Sequence, residues 1–261
     1  MDKALSLWPG GWTRQQRSTA TIVLASAALV VVMLLVAVPL SWLPEPIGPA
    51  AREFAAGTRV TVWLTLVAGV CGVAIGMLAA VGKLAPFPPV RWAASAYVWA
   101  VRGTPLLVQV LFVFLALPLM APWLRLSDFN SAALALAANV GAYNAEAIRA
   151  GILAVPKGQT EAARALGLSA LQTFRDVVFP QTFKIALPPL VNNVVALLKD
   201  SSLAYVIGVV ELSNVGSRVQ AATFQPVPVF LTTASIYLVL TTVLTQISGA
   251  IEARLDIEQR R

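Results

Sequence analysis

The sequence predicts an all-α integral membrane protein, and three observations predict it. Of the 261 residues, 58% are apolar and only 12% are Asp, Glu, Lys or Arg, about half the charged share of a soluble domain. The mean hydropathy is +0.77. Uncharged intervals recur at 18–44, 60–82, 103–124 and 219–251, each long enough for the roughly 20 apolar residues of a spanning helix. Two further intervals, 129–145 and 185–198, reach that length only by taking in Glu146 or Lys199-Asp200. The composition also excludes chemistry. There is no His and a single Cys, Cys71. Ser-His-Asp and Cys-His catalysis, His-ligated zinc, an internal disulfide and a Cys metal cluster are therefore ruled out. The net charge of +7 reads as cytoplasmic loops, not nucleic-acid binding, because no basic stripe with interleaved aromatics is present.

Six helices follow, near 20–41, 58–82, 93–119, 130–152, 184–208 and 228–251. The first is too long and lacks the small-x-small site of a cleaved signal peptide, so it reads as retained. Pro39, Pro44 and Pro46 are expected to end it and open an external loop. In the second, Gly72 and Gly76 form a GxxxG, either a close-packing surface or a chance match in a Gly- and Ala-rich chain. In the third, Arg102 precedes Gly103 and Pro105, so the helix is locally weakened and frees backbone groups. No internal repeat or linker is visible.

Orientation follows from Lys and Arg. With the N-terminus inside, the inner segments hold thirteen: Lys3, Arg14, Arg17; Lys83, Arg91; Arg149, Lys157, Arg164, Arg175, Lys184; and Arg254, Arg260, Arg261. The outer segments hold Arg52, Arg125 and Arg218. Both termini are expected in the cytoplasm. The organisation is a cytoplasmic tail over 1–19, a first helix with an external loop over 20–57, a core over 58–251 and a cytoplasmic tail over 252–261.

The segment 153–183 is too polar to span and too patterned to be a slack linker. Pro156 and Gly158 break the preceding helix, Thr160 is placed to cap a new one, and Glu161 sits in its first turn. Gly167 suits the left-handed residue that closes a helix. Ser169 and Gln172 form a capping box for a second short helix, which Pro180 is expected to stop. Such a projecting pair either lies on the lipid surface or docks a cytoplasmic partner.

Glu161-Ala162-Ala163, Gly167 four residues later and Pro180 thirteen beyond resemble the EAA loop of ABC importer permeases. Val177-Val178-Phe179-Pro180 stands where that family has Ile-x-Leu-Pro, and the replacements remain apolar. Three further blocks are similar to the polar amino-acid uptake permeases: Arg102 to Gln109 (RGTPLLVQ), Gly141 to Arg149 (GAYNAEAIR) and Leu198 to Leu203 (LKDSSL). The resemblance covers about 58–251; residues 1–57 carry none. It implies a type I ABC importer permease fold, a five-helix core plus one extra N-terminal transmembrane helix, in the bacterial inner membrane. It also implies that Glu161, Ala162, Ala163, Arg164, Ala165, Leu166, Gly167 and Pro180 belong to a coupling element seated in an ATPase subunit. The implied partners are two cytoplasmic ABC ATPases, a second permease (self or homologue), an extracytoplasmic amino-acid-binding protein and membrane lipid. No cofactor is implied for this chain; ATP and Mg would be held by the partner ATPases. The nearest approach to a P-loop, Gly76 to Gly82-Lys83, has one residue too many and is followed by Leu84.

Ionisable groups at membrane depth are costly and usually functional. Asn139, Tyr143 and Glu146 share one face of the fourth helix; in the fifth, Asn192, Ala196 and Lys199 share one face, and Asn193, Leu197 and Asp200 the adjoining one. An amino-acid zwitterion needs acceptors, which Glu146 and Asp200 offer, and donors, which Arg102 and Lys199 offer. Thr104, Gln109, Asn144, Ser201 and Ser202 complete the pathway candidates. The structural alternative pairs Glu146 with Arg149, neutralises Asp200 with Lys199, and places Arg102 at the cytoplasmic edge. An ion-coupled secondary transporter is the competing function; the absence of a repeat and the presence of the EAA-type loop count against it. A membrane-embedded hydrolase fails for want of its catalytic groups.

Overall fold

A computed structural model describes residues 11–259. Lys3, Arg260 and Arg261, used in the charge count, lie outside the described residues. Those described form a bundle of long helices: α1 (Arg14–Leu35), α2 (Ala37–Ser41), α3 (Ile47–Leu84), α4 (Pro88–Gly103), α5 (Leu106–Met120), α6 (Asp128–Ala154), α7 (Lys157–Ala165), α8 (Ala170–Ile207), α9 (Leu212–Thr223) and α10 (Pro226–Gln259). By length and composition four of these can cross a membrane, α1 with α2, α3, α8 and α10, and the bent pair α4–α5 makes a fifth. Helix α6 is not among them. Asn139, Asn144, Glu146 and Arg149 make it too polar, yet it is one of the most buried helices of the bundle.

The core is built on small residues. Helices α3 and α6 approach so closely that a Cβ added at Gly72 would lie 2.3 Å from Val140 Cγ1, and one at Gly76 2.6 Å from Asn144 Cβ. The GxxxG is therefore a packing surface, with Ala137, Gly141 and Ala145 of α6 as its counterpart. Tyr97 of α4 donates to Ala138 O at 2.6 Å and ties α4 to the same seam.

The chain between the first two long helices departs from expectation. Pro39 lies within α2, and only 42–46 form a turn before α3 begins at Ile47. There is no external loop up to residue 57. Ala50, Ala51, Phe54 and Ala55 are buried, because the extra turns of α3 cover α9 and α10. Helix α10 likewise continues through Gln259, into the stretch read as a tail.

The third long helix is broken. The chain bends by 112° between α4 and α5, across Thr104-Pro105. Pro105 supplies no N–H and disfavours helical backbone at Thr104, which is extended. Gln109 repairs the damage: its Nε2 donates to Val101 O at 2.7 Å and to Thr104 O at 3.1 Å.

Candidate functional site

The break, α6 and α8 enclose a cavity of about 400 Å³, within the size range of small-molecule sites. Thr104, Asn139, Tyr143, Asn193 and Asp200 supply its polar lining, and Pro105, Leu106, Val140, Ala196, Leu197 and Leu203 the rest. Asp200 is the one carboxylate among these lining residues. The amides are held in a fixed chain. Asn139 Nδ2 donates to Gln109 Oε1 at 3.0 Å, and Asn193 Nδ2 to buried Asn144 Oδ1 at 2.9 Å. Each of these bonds uses one of the two N–H donors of its amide, which leaves a second N–H and the oxygen of Asn139 and of Asn193. The Arg102 guanidinium stacks over the Tyr143 ring at 5.2 Å and brings a cation to the site.

Four predicted pathway residues stand elsewhere. Glu146 is paired with Lys83 of α3 and with Arg149, whose Nη2 lies 2.8 Å and Nε 3.0 Å from Oε2. Lys83 and Arg149 hold the carboxylate at the α3–α6 seam. Lys199 is exposed and lines no part of the cavity. Ser201 is buried and donates to Leu198 O at 2.7 Å, capping α8 where it tightens into a 3-10 turn. Ser202 does not line the cavity either. Asn192 faces α10, accepting from Ser248 at 3.1 Å.

The sequence reading missed Glu211. It is fully buried and caps the start of α9, accepting from Ser213 N and Asn214 N, both at 2.8 Å. Tyr237 of α10 donates to it at 2.9 Å and Thr61 of α3 at 3.3 Å. Burial pushes its carboxyl above the ordinary range, against these hydrogen bonds, which lower it. Its signal was an acidic residue before Leu212-Ser213-Asn214, a helix start overlooked in a stretch assigned to an outer loop.

The projecting element is a short helix and a corner. Helix α7 closes at Gly167, whose φ is +85°. Leu168 N donates to Ala163 O at 3.2 Å and Gly167 N to Arg164 O at 2.9 Å, the two bonds of a Schellman motif. Ser169 and Gln172 form the expected capping box. Two expectations fail. Thr160 does not cap: α7 starts at Lys157, and the Thr160 hydroxyl donates to Lys157 O at 2.6 Å from within the helix. Nor does Pro180 stop the next helix. A π-turn over Phe174–Val178 absorbs the missing N–H, and α8 runs on without interruption. Gln181 braces the junction, donating to Gln159 Oε1 and Val177 O, both at 2.9 Å. On the surface of this otherwise polar element, Leu166 is 81% and Leu171 75% exposed.

A multi-span helical bundle with a polar cavity beside a broken helix is the architecture of a transport subunit. The sequence pattern of the family described as "Binding-protein-dependent transport system inner membrane component" matches residues 72–257, and the chain belongs to that family. It is the membrane-spanning permease subunit of an ABC importer and not a catalytic chain. It is 38% identical over 201 residues to the L-cystine transport system permease protein TcyB of Bacillus subtilis (strain 168), covering 77% of this chain and 85% of that protein. It is 36% identical over 211 residues to the glutamine transport system permease protein GlnP of Escherichia coli (strain K12), covering 81% and 96%. Its fold matches an amino acid ABC transporter crystallised with histidines at a TM-score of 0.73 and 36% identity, over 79% of this chain and 95% of that one. The inward facing MetNI methionine ABC transporter, at 18% identity and a TM-score of 0.69 over 82% and 99%, shares the fold.

Proposed function

We propose that this permease carries a polar amino acid through the cavity at the α4–α5 break, driven by ATPases docked on residues 157–173. One observation carries the reading: the cavity pairs a carboxylate with the start of a half-helix. Asp200 offers its oxygens to an ammonium group. The first turn of α5 begins at Leu106 in the cavity wall, and a helix start presents N–H groups and positive dipole to a carboxylate. Arg102 over Tyr143 adds a second anion partner. Relatives named for cystine and glutamine uptake support a zwitterionic substrate.

The chain crosses the membrane six times, through α1, α3, the bent pair, α6, α8 and α10, with both termini in the cytoplasm. Two permeases, identical or sibling, pair to form the pathway. Two ATPases bind the α7 corners, with Leu166 and Leu171 as the buried contacts. An external binding protein delivers substrate, and closure of the ATPases shifts the α7–α8 junction to turn the cavity outward. The test is uptake of labelled amino acids by the reconstituted complex. Asp200→Asn raises KM by about tenfold or more, the loss of one charge-assisted hydrogen bond, while the ATPases still copurify. An unchanged KM for every amino acid taken up by the wild type would refute the site.

A further inference from the structure

The groups around the α4–α5 cavity differ in charge and in how far their hydrogen bonds are already committed. Asp200 supplies the only carboxylate among its lining residues. Two other carboxylates of the bundle are closed: Glu146 is held by Lys83 and Arg149, and Glu211 by Ser213 N, Asn214 N, Tyr237 and Thr61. Arg102, over Tyr143, is the cation at the cavity; Lys199 is exposed and lines no part of it. The Thr104 hydroxyl is committed, donating to Ala100 O at 2.9 Å and accepting from Gln109 Nε2 at 2.9 Å. Because Gln109 Nε2 also binds Val101 O, Gln109 turns its oxygen to Asn139, and Asn139 must donate. That leaves Asn139 on α6 and Asn193 on α8 lining the cavity, each with a second N–H and an oxygen uncommitted among the described residues.

We propose that the cavity selects a neutral amino acid whose side chain ends in a carboxamide, with Asn139 and Asn193 as the residues that read it. The inference rests on the pathway reading above and adds to it the class of side chain. One carboxylate and one cation match the two charges of a zwitterion and leave none over. A basic substrate brings a second positive charge with no carboxylate to receive it. An acidic one sets a second negative charge in a wall that already holds Asp200. An uncompensated charge in a site drawn out of water is costly. A carboxamide carries two N–H donors and an oxygen, and two asparagines that each offer a donor and an acceptor satisfy it from two helices. A hydrocarbon side chain of the same length leaves both amides unpartnered, which is how a polar site rejects an apolar analogue.

The experiment uses the full transporter purified without an external binding protein, so that the selectivity measured is the cavity's own. Labelled L-glutamine is displaced by L-arginine, by L-glutamate and by L-norleucine, which has a similar length and no amide. Wild type binds L-glutamine about tenfold or more tighter than each of the three, and this ranking decides without any variant. Asn193→Asp sets a second carboxylate in the wall, and buried Asn144 turns its amide over to donate to it, which keeps the contact between α6 and α8. The variant gains about tenfold in affinity for L-arginine relative to L-glutamine. Asp200→Asn weakens L-glutamine and L-norleucine alike. L-Arginine or L-glutamate outranking L-glutamine in wild type, L-norleucine equal to it, or an unchanged ranking in Asn193→Asp would overturn the carboxamide assignment; the site itself stands if Asp200→Asn still weakens binding. Full affinity in Asp200→Asn, or no displaceable amino acid at all, would refute the site and the assignment with it.

Discussion

Two carboxylates with opposite surroundings, Asp200 and Glu211, set the chemistry of individual residues. Asp200 lines a cavity; in the proposed function its oxygens take the substrate's ammonium group, so its replacement by Asn acts on KM. Glu211 is spent on structure, with Ser213 N, Asn214 N, Tyr237 and Thr61 converging on it. Glu211→Ala would strand these buried donors, at a cost of at least about 2 kcal/mol, and lower the unfolding temperature of the purified complex; Glu211→Gln would cost less. The sign of the pH effect follows from the raised carboxyl. The folded state holds the Glu211 proton more tightly than the unfolded chain. Stability from this group is full below the ordinary Glu range, about 4.3, and is lost as pH rises through the folded value. Melting profiles of wild type and Glu211→Gln should therefore diverge as pH rises above that range. Parallel profiles would contradict the assignment. Glu146 stands at the other extreme, paired with Lys83 and Arg149, and its neutralisation would disturb the α3–α6 seam more than substrate affinity.

Whether two helices can lie together is decided, for α3 and α6, by the absence of side chains. Gly76→Val would drive a branched side chain into Asn144 and the backbone at Gly141, and overpacking of this kind costs about 1–3 kcal/mol. Expression and melting of the variant should fall, whereas Gly249→Ala, with open space around it, should be neutral or slightly stabilising. The helices legible in the sequence are those whose signals are local. Uncharged runs marked α1, α3 and α10; Gly167 and the Ser169–Gln172 box marked the corner; Arg102-Gly103-Thr104-Pro105 marked the break. Illegible were features decided by neighbours. Pro39 and Pro180 look like helix stops, but α2 accepts the first, and a π-turn braced by Gln181 accepts the second. Residues 47–57 looked like loop because Arg52, Glu53 and Gly57 interrupt the apolar pattern, yet burial of Phe54 against α9 and α10 keeps them helical.

For the whole molecule, the sequence blocks that resembled an importer permease fall at the broken helix, the cavity wall and the projecting corner. The Arg102 block makes the break that opens the cavity. The Asn139–Asn144 stretch and Asn193–Asp200 form its opposite walls. The Glu161 block makes the exposed corner. Sequence alone did not separate lining from non-lining residues within these blocks, because helical phase drifts over several turns and the pairing of Glu146 depends on Lys83, sixty-three residues away. The corner itself is testable: Gly167 is exposed and open, so Gly167→Asp would strain only the left-handed backbone and carry a charge into the proposed docking surface. Membrane insertion and the fold should persist.

The central claim is that this chain is moved by ATPases bound at the α7 corner. The most direct measurement is gentle extraction of wild type and Gly167→Asp from the native membrane, with mass spectrometry of what copurifies. The account predicts an ABC ATPase with wild type and its loss, or uncoupling of its ATP hydrolysis from amino-acid uptake, with the variant. Wild type free of any ATPase, under conditions that keep other ABC complexes whole, would contradict it.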